Sequence, residues 1–430
     1  MNVHNFIKER LCVRSIESSF KRLSTLFSRY GFTSDKFVYS LHHFTKLAHQ
    51  YGIVLTLPVT ASVVNRHSRI FQRLQDQGVE LAVHGSYHID YTQLNINEVR
   101  HHLYQAAAIF NRHGIRYSGF RFPFLRKDNE RIQLLNETGF LWDSSEVISW
   151  NSLDPNLFHN KNWADYQKII KTYNAVDADQ TESLPYIQNG LVEIPISVPD
   201  DDIIIERLGI KDEQLIYSIW EKILCSVRER GELFVLQVHP ERYCLYQHAL
   251  KRILQLAGRW GDVWITSLKE IAKWWQEKED FRLVVKRGMN NRYHIIPECT
   301  DRATLIVENA GSNHHHNETI VLKKEKCEIE SQRKPIIGID PDASSDVIDI
   351  LRREGYPYEI SIAHQDYSHF IKQKGKLNPI KKKSLLQSIH DNPFPLIRFW
   401  RWPNQFRYSF AITGDIDGVN LWDYGERFYG

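Results

Sequence analysis

The alternation of apolar-faced helices with short apolar strands between about residues 36 and 276 is the sequence feature that most limits the possible folds. SDKFVYSLHHFTKLAHQYG places Phe37, Leu41 and Phe44 on one helical face, and IVLTLPV follows as a strand. The same order recurs in RIFQRLQDQG before VELAVHG, and in EVRHHLYQAAAIFNRHG before RYSGFRFP. Each helix ends near a glycine, a common C-terminal signal. The pattern predicts an α/β sheet or barrel with parallel strands.

The pattern changes after about residue 280, where short β-like segments such as FRLVVKRG, RYHIIPE and ETIVLKK alternate with polar turns. Further on, RKPIIGIDPDASSDVIDILRREGYPYEISIA returns to strand, helix, strand. A chain of 430 residues is also too long for one ordinary core. We therefore predict an α/β unit over residues 1–278, an insertion over 279–395 that is first β-rich and then α/β, with no assigned role, and a final strand-bearing segment over 396–430.

Composition excludes several classes of protein. Hydrophobic residues make up 42% and charged residues 25%, which is typical of globular proteins. A net charge of +3 gives no reason to expect a nucleic-acid or membrane partner. The five cysteines form no CxxC pair, and no apolar run suggests a signal peptide or a membrane span, so we expect a cytoplasmic protein. The 52 aromatic residues suit a large core or a sugar-binding groove.

Polar side chains follow several of the predicted strands. His84 and His88 in VHGSYHIDY are four residues apart, so a helical turn there would present both imidazoles to one metal ion. Arg121, Asp143 and His239 follow three other strands. Each of these residues alone is more often a capping or solvated group. Together they favour a ligand site, because parallel α/β folds place such sites at the carboxyl ends of their strands.

The segment AITGDIDG near the end of the chain supplies carboxylates that the other strand ends lack. Asp415 and Asp417 are two residues apart and therefore face the same side of a strand. One carboxylate can bind a metal ion while the other acts as a base, which matters because two imidazoles seldom hold a catalytic zinc without a third protein ligand. A solvated or calcium-binding acidic turn is the alternative.

Together these residues resemble the polysaccharide deacetylase family, the NodB-homology domain of carbohydrate esterase family 4. TGDIDG is similar to the family's first motif and HGSYH to its second. RFPF, DSS and VLQVHP resemble the third, fourth and fifth motifs. The resemblance implies an irregular (β/α) barrel of the polysaccharide deacetylase type, interrupted by a small β-rich/α+β insertion.

The order of the motifs departs from the family, because the first motif comes last. The resemblance therefore implies a circular permutant in which residues 1–278 form a barrel that lacks its first strand. Residues 396–430 would supply that strand, covered by LWDYGERFYG and the first 30 residues. Two alternatives are a fragment whose own first strand is missing and a domain whose first motif has lost its function.

The resemblance also implies a divalent metal, most often Zn²⁺, bound by Asp417, His84 and His88. Asp415 would be the catalytic base, oriented by Arg121. His239 would protonate the departing amine. Asp143 would hold His239 in its protonated form.

Five aromatic residues beside these motifs are candidates for contact with a sugar, although core packing is at least as probable for each. They are Tyr87, Tyr91, Phe124, Trp142 and Trp150.

The function implied by the resemblance is a metal-dependent deacetylase that acts on an N-acetylated saccharide. One alternative keeps the chemistry and changes the substrate to a cyclic imide, ureide or formamide. Another is a non-catalytic carbohydrate-binding protein, which would be favoured if Asp417 lay far from His84 and His88.

Overall fold

The computed structural model describes residues 29–158, 160–309, 319–322 and 327–425. Helices and strands alternate as predicted through the first two thirds of the chain. The helices are α1 (Asp35–Gln50), α2 (Ala61–Asp76), α3 (Ile96–Arg112), α4 (Asn129–Glu137), α5 (Asn160–Thr172), α6 (Glu213–Arg230), α7 (Gln247–Trp260), α8 (Leu268–Glu279), α9 (Ser345–Glu354), α10 (Pro379–His390) and α11 (Leu421–Gly425).

The strands fall into a first group that precedes residue 270, a second group in the predicted insertion and one last strand. The first group is β1 (Thr56–Val59), β2 (Glu80–Val83), β3 (Gly119–Phe120), β4 (Trp142–Asp143), β5 (Val147–Ser149), β6 (Val176–Asp177), β7 (Tyr186–Gln188), β8 (Leu191–Glu193), β9 (Ile196–Val198), β10 (Leu233–Val238) and β11 (Val263–Ile265). The second is β12 (Arg282–Arg287), β13 (Arg292–Glu298), β14 (Leu305–Glu308), β15 (Thr319–Leu322), β16 (Cys327–Glu330), β17 (Lys334–Ile339), β18 (Tyr358–Ile360), β19 (Tyr367–Ile371) and β20 (Leu396–Phe399). The last strand is β21 (Tyr408–Gly414).

One curled sheet organises the main unit, in the order β6-β5-β9-β10-β21-β1-β2-β3-β4-β8-β7, with β11 also beside β21. All of its pairings are parallel except the β7–β8 hairpin. The central strands β1, β10 and β21 are buried along their whole length, which explains their nearly continuous apolar sequences. The predicted α/β fold is confirmed as an open half-barrel.

The last strand, β21, lies in the centre of this sheet. It pairs with β10 from Leu233 opposite Ser409 to Val238 opposite Gly414. On its other side the first half of β21 pairs with β11, and Thr413 then pairs with Thr56 of β1. Because these strands are parallel, the residues after β21 emerge at the same edge as those after β1, β2 and β10.

Between β11 and β21 the chain forms smaller sheets with their own apolar cores. Strands β12, β13 and β16 are antiparallel, as are β15, β14 and β20. Strands β18, β17 and β19 form a parallel sheet, and α9 and α10 contribute to its core. Strand β20 packs with these cores, and the chain rejoins the main core at Trp402.

Two findings limit the remaining predictions. Among the described helices, none combines the length and the apolar character that crossing a membrane requires. Residues 1–28 and 426–430, which the sequence suggested as a cover for the last strand, lie outside the described residues. The division into three segments stays a prediction.

Candidate metal centre

Two imidazoles and one carboxylate meet at the carboxyl edge of the half-barrel. Asp417 Oδ1 lies 3.4 Å from His84 Nε2 and 3.4 Å from His88 Nε2. One ligand atom from each of the three residues lies within 4.8 Å of the others. The three come from the segments that follow β2 and β21, more than 300 residues apart in sequence. Their donor chemistry, two nitrogens and one oxygen, suits a divalent transition metal.

The orientation of His84 is set by its other ring nitrogen. His84 Nδ1 lies 2.9 Å from the carbonyl oxygen of Arg121, which can only accept a hydrogen bond. The proton is therefore assigned to Nδ1, and Nε2 presents its lone pair towards Asp417. Such a partner on the far nitrogen is typical of metal-binding histidines.

The segment between the two histidines is not helical, so it is not a helical turn that brings the two imidazoles together. Gly85 has φ +81°, and an added Cβ there would lie 2.7 Å from the hydroxyl oxygen of Tyr91. The carbonyls of Gly85 and Ser86 accept hydrogen bonds from Ala61 N and Ser62 N at the start of α2. A glycine-dependent loop, fixed by the N-terminus of a helix, thus brings the imidazoles together.

Asp415 is held on the same side of the site by Arg121. Its Oδ1 accepts a hydrogen bond of 2.6 Å from Arg121 Nη1, and its Oδ2 lies 3.9 Å from His84 Nε2. Arg121 is completely buried and also donates to Thr413 Oγ1, Ser144 O and Ser144 Oγ. A buried guanidinium with this many acceptors cannot rotate freely, so it fixes the carboxylate.

His239 follows β10 and is held by a residue that the sequence reasoning missed. Its Nδ1 lies 2.8 Å from Asp201 Oδ1, and its backbone N–H donates to Asp201 Oδ2 at 3.1 Å. Burial alone would lower the pKa of His239, but Asp201, with contributions from Glu241 and Asp417, raises it well above its usual value. The structure therefore favours a protonated imidazole at this position.

Asp143 was the predicted partner of His239, and that assignment is wrong. Asp143 Oδ1 accepts a hydrogen bond from Ser145 Oγ at 2.8 Å, and Asp143 Oδ2 lies 3.4 Å from Lys127 Nζ. Lys127 also pairs with Glu193, whose pKa burial raises to about 8. Asp143 is thus part of a separate buried group of charges.

The candidate aromatic residues divide into core and surface positions. Trp142 and Trp150 are buried, and Trp142 Nε1 donates to Glu80 Oε1, which favours the core-packing alternative for both. Tyr91 is also buried, and its hydroxyl accepts a hydrogen bond from Ser86 N. Phe124 is 44% exposed, with its ring centroid 4.4 Å from that of His88.

Tyr87 is partly buried, with its ring centroid 6.1 Å from that of His102. Phe124 and Tyr87 are therefore the two candidate aromatics that remain accessible beside the metal ligands.

Comparison with known proteins finds a family match for part of the chain. Residues 38–141 match the polysaccharide deacetylase family model, a segment that includes His84, His88 and Arg121. The peptidoglycan deacetylase-like protein FGM2 of Gibberella zeae is 39% identical over 71 residues, which is 16% of this chain. The match spans 21% of that curated relative, about a fifth of its length.

Two solved structures are similar at low sequence identity. PuuE allantoinase is 19% identical, with a TM-score of 0.44, and the match covers 55% of this chain and 72% of that one. A probable polysaccharide deacetylase from Pseudomonas aeruginosa PAO1 is 19% identical, with a TM-score of 0.46 and coverage of 62% and 79%.

Proposed function

Since residues 38–141 match the polysaccharide deacetylase family model, we propose that this chain is a metal-dependent deacetylase that removes the N-acetyl group of a saccharide. The observation that carries the proposal is the 3.4 Å approach of the Asp417 carboxylate to both His84 Nε2 and His88 Nε2. The non-catalytic alternative required Asp417 to lie far from the histidines, and this distance gives it no support.

The donor set fits a divalent metal, which we propose to be Zn²⁺. His84 offers a neutral Nε2 because its Nδ1–H donates to the carbonyl of Arg121, and His88 and Asp417 complete three protein ligands. When bound there, the metal would polarise the amide carbonyl and lower the pKa of a water molecule.

Asp415 is proposed as the general base that takes the proton of the attacking water. Its Oδ1 is occupied by Arg121 Nη1 at 2.6 Å, which leaves Oδ2, 3.9 Å from His84 Nε2, directed towards the metal ligands. The fixed guanidinium removes the need to reorient the carboxylate during the reaction.

His239 is proposed as the general acid that protonates the leaving nitrogen. Asp201 stabilises its charged form, so the proton is available at neutral pH. The side chain remains 12% exposed, whereas Asp201 is completely buried. Asp201 therefore acts on the reaction only through His239.

The test is acetate release from N-acetylated sugars by protein supplied with zinc or cobalt, together with the metal content of the purified protein. Asp417→Ala should lose both activity and bound metal. Asp340→Ala, which follows β17 in the insertion, is the matched control and should keep both. Full activity of Asp417→Ala would contradict the proposal. Release of a product other than acetate from ureides or formamides would move the assignment to those substrates.

A further inference from the structure

The loop that carries His239 (the acid loop, residues 239–246) contains a buried carboxylate that takes no part in the proposed reaction. Glu241 belongs to the 3₁₀ turn Pro240–Leu245 and is 7% exposed. Burial raises the pKa of its carboxyl, and the charges of Arg29 and His239 act in the opposite direction. A carboxylate this deeply buried costs stability unless it has polar or charged partners. The partners of Glu241 therefore show what it holds in place.

Two of these partners lie just before α1. The Tyr30 hydroxyl donates a hydrogen bond of 3.3 Å to Glu241 Oε1, and Arg29 Nη2 lies 3.5 Å from the same oxygen. Tyr30 is buried, so its hydroxyl meets Glu241 inside the protein. Arg29 Nε also lies 3.7 Å from Oε1 of Glu206, in the π-helical segment Asp202–Arg207. The residues before α1 are thus fixed to the acid loop and to its neighbour.

The same residues before α1 contact the segment that follows the metal-ligand carboxylate. Leu421 N donates a hydrogen bond of 3.1 Å to Gly31 O, and the ring centroid of Tyr30 lies 6.0 Å from that of Tyr424. Leu421 and Tyr424 belong to α11, which follows the loop after Asp417. These contacts join the acid side of the site to its metal side.

The metal side has an anchor of its own in the main unit. Asp423 in α11 is buried, its Oδ1 lies 2.8 Å from Arg66 Nε, and its Oδ2 accepts a hydrogen bond of 2.8 Å from Val419 N. Arg66 belongs to α2. A buried carboxylate with charged and backbone partners fixes α11 against α2. The loop after Asp417 is therefore a fixed part against which the acid loop can be positioned.

Arg242 extends these contacts to the carboxylate that holds His239. Its Nη1 donates to Asp201 Oδ2 at 3.3 Å, and its Nη2 donates to Asp202 Oδ1 at 2.8 Å. Its Nε lies 3.9 Å from Glu241 Oε1. Arg242 is buried, so water cannot readily replace these partners. A shift of Glu241 would thus be transmitted to Asp201 and from there to His239.

We propose that Glu241 is a positioning residue, which fixes the acid loop against α11 through Tyr30 and Arg29. The inference rests on the proposed deacetylase function, because Glu241 acts on the reaction only through His239. A general acid must lie within hydrogen-bond reach of the leaving nitrogen, and a displacement of about 1 Å can lower the rate about 100-fold. The effect falls on kcat, since Glu241 is assigned no contact with the substrate or the metal.

The experiment measures kcat and KM for acetate release, together with bound zinc, in Glu241→Ala and Glu241→Gln. Glu241→Ala should lower kcat about tenfold or more, while KM and zinc content stay as in wild type. Glu241→Gln keeps an acceptor oxygen for Tyr30 and should recover part of the loss. Unchanged kcat in Glu241→Ala, or loss of zinc together with kcat, would overturn the proposal.

A double-mutant cycle tests whether Tyr30 and Glu241 act together. Tyr30→Phe removes one hydroxyl, so it also keeps the test decisive where Glu241→Ala folds poorly. It should lower kcat several-fold in wild type and cause no further loss in Glu241→Ala, whereas additive effects would contradict the link. The matched control is Tyr356→Phe, which removes a buried hydroxyl that donates to Glu308 at 2.7 Å in the insertion and should match wild type.

Hydrogen exchange without substrate separates this inference from the proposed reaction. Amides of the acid loop should exchange faster in Glu241→Ala than in wild type, with no change in Tyr356→Phe. Faster exchange, combined with no acetate release by wild type, would leave the positioning role standing and remove the deacetylase proposal. Acetate release by wild type, with kcat and exchange both unchanged in Glu241→Ala, would do the reverse.

Discussion

The pairing of His239 with Asp201 gives the sharpest test of the proposed mechanism, through the substitution Asp201→Asn. The two carboxylate oxygens of Asp201 serve different partners on His239, since Oδ1 lies 2.8 Å from Nδ1 and Oδ2 accepts from the backbone N–H at 3.1 Å. An asparagine has one acceptor oxygen and no negative charge, so at least one of these bonds is lost. A hydrogen bond to a charged group is worth about 1.5–3 kcal/mol, which predicts a fall in kcat/KM of about 10- to 150-fold.

The pH dependence of the same variant follows from the charge that it removes. As a general acid His239 is active when protonated, so activity is present below its pKa and lost as the pH rises through it. Asp201 raises that pKa in the folded protein, and the alkaline limb of the wild-type profile should lie above the usual imidazole range of about 6.5. Asp201→Asn should move this limb to lower pH.

The assay is kcat/KM for acetate release between about pH 5 and pH 10, with folding checked by circular dichroism. Asp143→Asn is the matched control, because Asp143 is as completely buried as Asp201 but contacts Ser145 and Lys127 instead of His239. It should leave the alkaline limb in place. An alkaline limb that stays unchanged in Asp201→Asn, or one that moves in Asp143→Asn, would refute the assignment of Asp201.

Three further predictions concern the anchor of the metal-binding loop, the packing of the sheet and the order of the segments along the chain. Asp423→Ala should weaken zinc binding about tenfold, measured with a competing chelator, because the loop after Asp417 loses its anchor. Gly119→Ala should lower the free energy of unfolding in urea by about 1–3 kcal/mol, since an added Cβ would lie 1.8 Å from Trp142 Cε2. The control is Gly258→Ala, at a helical glycine with open space around it. This substitution should instead raise the free energy of unfolding by about 0.5–1 kcal/mol. Moving residues 402–425 to a position before α1 should give a protein that still folds and binds zinc; loss of both would contradict a permuted connection.

The convergence of the candidate site could be predicted from the sequence because of a simple geometric rule. Parallel strands end at the same edge of a sheet, so polar residues that follow separate strands are candidates to meet. His84, Arg121 and Asp415 follow β2, β3 and β21, and Arg121 contacts both of the others. Their proximity required only the strand order.

The partner of His239 could not be found in the same way. Asp201 follows β9, a short strand that reaches its place beside β10 only after the β7–β8 hairpin, and the helix–strand rhythm is interrupted there. The signal that was available is local, since VPDDD places acidic residues directly after the apolar segment IPISV. The family resemblance implies Asp143 in this role instead, but Asp143 lies beside Lys127 and Ser145.

Burial and backbone conformation are two further properties that the sequence pattern does not show. Trp142 lies at the end of a strand, where an aromatic residue could border the site. Its indole N–H instead donates to Glu80 Oε1 at 3.2 Å, which allows the whole ring to be buried. The conformation between His84 and His88 depended on Gly85, whose left-handed backbone ends any helical turn. Neither a buried acceptor 62 positions away nor a positive φ can be read from residue spacing.

The position of β21 also bears on the order of the motifs along the chain. We propose a circular permutation, in which β21 and the loop after it, which carries Asp415 and Asp417, once preceded α1. At the start of α11, which follows β21, Leu421 N donates to Gly31 O at 3.1 Å. The chain after β21 therefore lies directly against the residues that lead into α1. A direct covalent connection from the chain after β21 to α1 would therefore need little rearrangement. In the present chain, which lacks this connection, the hydrogen bond between Leu421 and Gly31 joins the same two segments. The insertion instead links β11 to β21, which are hydrogen-bonded neighbours in the same sheet. Strand pairing, rather than the order of the chain, is then what brings Asp417 to His84.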